Sequence, residues 1–126
     1  MNNLNITERR NQSVTVLDLK GNIRIGQGNI ELHNILRFLV EKGEKKILLN
    51  LADVSYIDSS GLGELVGGFT TLQKNGGEMK LLNLTNRVSE LMMITKLLTV
   101  FDIYENETEA VESFSDPAAK SVTASI

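Results

Sequence analysis

The stretch Ile47-Leu48-Leu49-Asn50-Leu51 is almost continuously apolar, and after it the pattern changes period: Leu62, Leu65, Val66, Phe69 and Leu72 recur at helical spacing. A short apolar run of this kind reads as a strand covered on both faces, the situation of a mainly parallel sheet with helices packed against it. Between the run and the helix lies Tyr56-Ile57-Asp58-Ser59-Ser60-Gly61-Leu62-Gly63. Two serines and an aspartate therefore stand at a strand-to-helix turn. In open α/β sheets, functional groups gather beyond the carboxyl ends of the strands. A helix start adds unpaired backbone N–H groups and positive dipole character.

The rest of the chain fits the same frame. Residues 4–10 read as a polar-mixed edge strand, and Val14 to Leu19 as a β-branched, apolar strand ending at Gly21. Asn11-Gln12-Ser13 would turn one into the other, and Gly21 to Asn29 would form a glycine-punctuated loop. Leu32, Ile35, Leu36, Leu39 and Val40 then predict a helix that Gly43 ends, with Lys42, Lys45 and Lys46 complementing its dipole. The second helix should end at Asn75-Gly76-Gly77, with a strand from Met79 to Leu82 after it. Thr85 or Asn86 can cap a third helix carrying Val88, Leu91 and Met92. Val100 to Tyr104 alternates as a last strand, and Asn106-x-x-Glu109 resembles a capping box opening a short helix with Ala110, Val111 and Phe114. The predicted order is β-β-α-β-α-β-α-β-α. It describes an α/β layer with a mixed, mostly parallel sheet of four to five strands and about four helices. One domain over residues 1–114 is expected, with residues 115–126, which include Pro117 and no periodic pattern, as a flexible tail.

Composition narrows the chemistry. With 126 residues and 41% hydrophobic side chains the chain can bury a real core, and its net charge of −3 argues against a surface for direct nucleic-acid binding. There is no cysteine and one histidine, which removes thiol chemistry and Cys-ligated zinc. No apolar run reaches the roughly 18 residues of a membrane span, and Met1 to Asn5 lack the basic and apolar regions of a secretory signal. A soluble, cytoplasmic protein is expected. Its oligomeric state is open.

Sharper readings can be tested at the turn. A nucleophile elbow requires Gly-x-Ser-x-Gly, but Ile57 and Asp58 stand at the positions of the leading glycine, and His33, the sole candidate base, falls within the first predicted helix. Gly21-x-x-x-x-Gly26 matches half of a phosphate-binding loop, with Gln27 where the lysine belongs. Asp53 and Asp58 lack an identifiable third metal ligand. No catalytic residue, metal or cofactor is therefore expected. Two readings remain. Ser59 or Ser60 could be a helix cap worth about 1 kcal/mol. Alternatively, Ser59 could accept a phosphate, placing about −1.5 to −2 charges where a partner would dock. The turn by itself favours the cap.

The segment Asn50-Leu51-Ala52-Asp53-Val54-Ser55-Tyr56-Ile57-Asp58-Ser59-Ser60-Gly61-Leu62-Gly63 strongly resembles the signature of bacterial anti-anti-sigma factors, members of the STAS family (sulfate transporter and anti-sigma antagonist domains). The resemblance runs from about Leu4 to Phe114 and includes Leu19-Lys20-Gly21, Gly76-Gly77 and Leu81-Leu82. It implies the STAS fold and a non-enzymatic switch in transcription regulation. Ser59 takes the position of the phosphorylated serine, with Ser60 beside it and Asp58 and Gly61 shaping the turn. Asn22, Ile23 and Arg24, in the Gly21 to Arg24 loop, would join them at the partner surface. The implied partners are an anti-sigma factor that doubles as a serine kinase, bound by the unphosphorylated form so that a sigma factor is released, and a metal-dependent serine phosphatase that resets the cycle. Arg24 stands where many members carry an acidic residue, which changes the charge of the docking face. The alternative within the same fold is a scaffold or lipid-transport accessory domain that docks constitutively.

Overall fold

The computed structural model describes residues 4–115. Its elements are β1 (Leu4–Asn11), β2 (Val14–Ile23), α1 (Gln27–Lys42), β3 (Lys46–Ile57), α2 (Ser59–Lys74), β4 (Glu78–Leu82), α3 (Asn86–Ile94), β5 (Ile103–Tyr104) and α4 (Glu107–Ser115). This is the expected order. The strands form a five-stranded sheet in the order β1-β2-β3-β4-β5. β1 runs antiparallel to β2, and every other neighbouring pair is parallel.

The sheet separates two apolar layers. On one face, Leu17, Leu19, Ile47, Leu49, Leu51, Met79 and Leu81 pack with Leu32, Leu36 and Leu39 of α1, Leu62, Leu65 and Leu72 of α2, and Val88 and Met92 of α3. On the other, Val14, Val16, Leu48 and Leu82 pack with Ala110, Val111 and Phe114 of α4. Ile47, Leu48 and Leu49 are buried on both sides of the pleat, which is why that run carries no polar alternation. Val66 and Phe69 lie half-buried against the larger layer.

Three boundaries differ from the sequence expectation. β3 continues past Leu51 to Ile57, because β2 also continues and pairs Gly21 with Val54, Asn22 with Tyr56 and Ile23 with Ile57. Two register shifts, between Asp18 and Lys20 and between Gly21 and Asn22, accommodate the extension. The expected loop from Gly21 to Asn29 is thereby reduced to Arg24-Ile25-Gly26. β5 is shorter than expected because Phe101 leaves the ladder for the core and meets Phe69 edge-to-face at 5.2 Å. α4 runs to Ser115, the first residue of the expected tail. The remainder of that tail lies outside the described residues.

Local signals explain the helix ends. Gly43 closes α1 in the left-handed region (φ 93°), and its N–H reaches Leu39 O and Val40 O. Thr85, rather than Asn86, caps α3 by accepting the Val88 N–H at 3.3 Å. Lys45 serves the C-terminus of α2 instead of that of α1, donating to the Asn75 carbonyl.

Candidate functional site

The carboxyl ends of β2 and β3 lie side by side, and the helices that follow them, α1 and α2, start at the same edge of the sheet. Asp58 joins the two connections. Its backbone N–H donates to Ile23 O at 3.2 Å. Its Oδ1 accepts the Gly61 N–H at 2.8 Å, and its Oδ2 accepts the Ile25 N–H at 3.1 Å. Asp58, and neither serine, is therefore the N-cap of α2, with the extended backbone that a cap requires.

Each serine has a separate place. Ser59 is the first helical residue and is exposed, and no described side chain bonds its hydroxyl. Ser60 is half-buried, and its Oγ accepts a hydrogen bond from Asn29 Nδ2 at 2.8 Å. Gly61 is buried where the helix start presses on β2: a Cβ added there would collide with the Ile23 carbonyl oxygen. This contact, together with the Asp58 bonds, fixes the first turn of α2 against the end of β2.

The other expected partner-surface residues divide. Asn22 is half-buried in the ladder opposite Tyr56. The Ile23 side chain is 0% exposed, so a direct side-chain contact with a partner is closed to it, and Ile23 offers the site its carbonyl. Arg24 is exposed, and its carbonyl accepts the Asn29 N–H at 3.1 Å. Sequence reasoning missed Asn29 and Ile25. Nothing in their identities marks them, because their roles depend on α1 and α2 starting together. Tyr56, paired with Asn22, carries Arg87 of α3 over its ring, with the guanidinium carbon 4.6 Å from the ring centroid.

The remaining candidates stand apart from this turn. His33 is exposed and its Nδ1 lies 3.0 Å from Glu64 Oε1, at a groove of about 440 Å³ between α1 and α2. Asp53 is exposed on β3 opposite Lys20. Among the described residues, no cluster of three or more His, Cys, Asp or Glu side chains is arranged to hold a metal, and no helix is long and apolar enough to cross a membrane.

Comparison with known proteins gives the family of the chain. The family model for the STAS domain matches residues 5–110. The chain belongs to the STAS domain family. Among its relatives, this STAS domain is 37% identical over 101 residues to an anti-sigma-B factor antagonist of Bacillus subtilis strain 168, a match covering 80% of this chain and 91% of the relative. It is 36% identical over 75 residues to an anti-sigma-B factor antagonist of Staphylococcus aureus, covering 60% of this chain and 69% of that one. Among solved structures, a candidate anti-sigma factor antagonist from Thermotoga maritima superposes with a TM-score of 0.72 at 25% identity, over 88% of this chain and 95% of that one. The Bacillus cell fate determinant SpoIIAA in its phosphorylated form shares the fold, with a TM-score of 0.68 at 20% identity over 86% of this chain and 97% of that one.

Proposed function

We propose that this STAS domain is an anti-sigma factor antagonist, a regulatory binding protein whose switch is phosphorylation of Ser59. The 37% identity across nearly all of an anti-sigma-B factor antagonist carries the antagonist reading. Ser59, exposed at the start of a helix capped by its neighbour, carries the choice of switch residue. Ser60 is the poorer acceptor because its hydroxyl is half-buried and already bonded by Asn29. In this cytoplasmic cycle the unphosphorylated form binds an anti-sigma factor that is also a serine kinase, and a sigma factor is released. The kinase then modifies Ser59 and binding ends, until a metal-dependent serine phosphatase restores the hydroxyl.

A phosphate on Ser59 acts differently within the fold and at the interface. Within the fold, a phosphate on Ser59 meets the positive end of α2, an interaction of about 0.3–1 kcal/mol that offsets repulsion from Asp58. At a docked partner surface the same charge and bulk meet groups placed for a hydroxyl, and mismatched charge there costs several kcal/mol. Affinity therefore falls while the domain stays folded. Arg24, exposed at the same edge, is available to pair with the phosphate.

The test is labelling with ATP by a purified serine-kinase anti-sigma factor from the source genome. Ser59→Ala should abolish labelling, and Ser59→Asp should weaken kinase binding without unfolding the domain. Labelling that persists in Ser59→Ala would refute the site. Mass spectrometry of the peptide from Asp58 to Lys74, isolated from cells, separates this cycle from constitutive docking by a scaffold or lipid-transport accessory domain, in which Ser59 stays unmodified. If Arg24 pairs with the phosphate, Arg24→Ala should destabilise the phosphorylated protein more than the unmodified one.

A further inference from the structure

We infer that Ile25 is an apolar contact residue for the anti-sigma factor and that Asp58 is the positioning residue that presents it. This rests on the antagonist reading above. Ile25 sits in the three-residue connection between β2 and α1, and its side chain is 76% exposed. A single exposed isoleucine is ordinary on a protein surface. What distinguishes this one is how its backbone is held. The Asp58 carboxylate is divided between two donors, Oδ1 taking the Gly61 N–H at the start of α2 and Oδ2 taking the Ile25 N–H.

The residues around Ile25 are fixed as well. Ile23 O accepts from Asp58 N, Arg24 O accepts from Asn29 N, and Gly26 O accepts from Ile30 N. The connection is thus anchored before and after Ile25, and the Asp58 bond fixes its middle. An apolar side chain on a backbone already held in place loses little conformational freedom when it is buried by a partner, which favours affinity. Because the residue holding it immediately precedes Ser59, a partner close enough to phosphorylate Ser59 meets Ile25 in the same encounter. A side chain that fills a well-packed, desolvated pocket near the centre of a contact costs affinity when it is truncated.

Asparagine separates the two duties of Asp58. Its side chain has one acceptor oxygen, which can cap α2 but cannot also hold the Ile25 N–H in the observed arrangement. A double-mutant cycle on the full chain tests the inference, using as probes the purified serine-kinase anti-sigma factors of the source genome and reading affinity by calorimetry. Ile25→Ser should lower affinity about tenfold, the scale of losing one buried apolar contact, while Ile25→Val should retain most of it. Asp58→Asn should remain folded, show faster amide exchange at Ile25, and lower affinity. Combined with Ile25→Ser, it should add much less than it costs alone, since both changes remove one contact. If wild type binds and Ile25→Ser binds equally well, the inference fails and the antagonist reading stands. If Ile25→Ser weakens binding but Asp58→Asn adds its full cost on top, the positioning role of Asp58 fails. If wild type binds none of the kinases and none labels it, the antagonist reading fails and the inference fails with it.

Discussion

Replacing Gly61 by alanine should destabilise the domain, although alanine is the better helix former. In a helix interior the exchange would gain about 1 kcal/mol from propensity. At this position the added Cβ would lie 2.8 Å from both the carbonyl carbon and Cγ2 of Ile23, and would overlap the Ile23 carbonyl oxygen. The obstacle is mainly backbone of a strand buried in the sheet, so it cannot swing aside as a side-chain tip would. Overpacking of this kind costs about 1–3 kcal/mol. Relief by moving α2 would also stretch the 3.2 Å bond from Asp58 N to Ile23 O, worth about 1 kcal/mol. The balance is a net loss of about 1–2 kcal/mol, or roughly a 1 M fall in the urea midpoint for a typical slope. Gly63, two residues on in the same helix, is the control, because a Cβ there meets nothing within 4 Å. Gly63→Ala should leave the midpoint unchanged or raise it. The measurement is equilibrium urea unfolding of the two variants beside wild type. A Gly61→Ala midpoint at or above wild type, with an unchanged slope, would refute the claim that the first turn of α2 is wedged against β2.

The remaining predictions concern elements away from the turn. Arg9 bonds both Asp18 and Glu107, and these bonds are the chief reason both carboxyls sit below their usual range. A depressed folded-state pKa stabilises fully above the unfolded values, near pH 4, and the contribution is lost as pH falls through the folded values. The stability gap between wild type and Arg9→Ala, followed by urea titration from pH 7 downward, should therefore narrow below about pH 4. Lys80 is 2% exposed, donates to Ser113 Oγ at 2.8 Å and lies 4.8 Å from the centroid of Phe114. Lys80→Met keeps the packing and should stay within about 1.5 kcal/mol of wild type, whereas Lys80→Ala opens a cavity and should cost about 2–4 kcal/mol by thermal or urea unfolding. Thr85→Ala removes the α3 cap and should cost about 1 kcal/mol in the same assay.

Leu51 and Asp58 mark where local pattern gives way to tertiary structure. Up to Leu51 the apolar run is covered on both faces, so composition marks the strand. Beyond it Ala52 and Asp53 are exposed, and the strand persists because β2 offers it a partner. Pairing with a strand distant in sequence leaves no periodic trace in either segment. The caps show the same division. Gly43 and Thr85 act within one turn of their own helices, so local chemistry reveals them. Asp58 acts on Gly61, which is local, and also on Ile25, which is not.

By itself, then, the sequence determined the order of elements, the layered α/β class and the turn at Asp58-Ser59-Ser60-Gly61, because strand and helix periods and helix-end residues are local properties. Only the tertiary structure decided which of three neighbouring polar residues caps α2, which serine is exposed, and that Ile23 faces the core while Arg24 and Ile25 face solvent. Those outcomes follow from α1 and α2 starting side by side. That arrangement is fixed by the parallel pairing of β2 with β3, a contact between segments far apart in the chain.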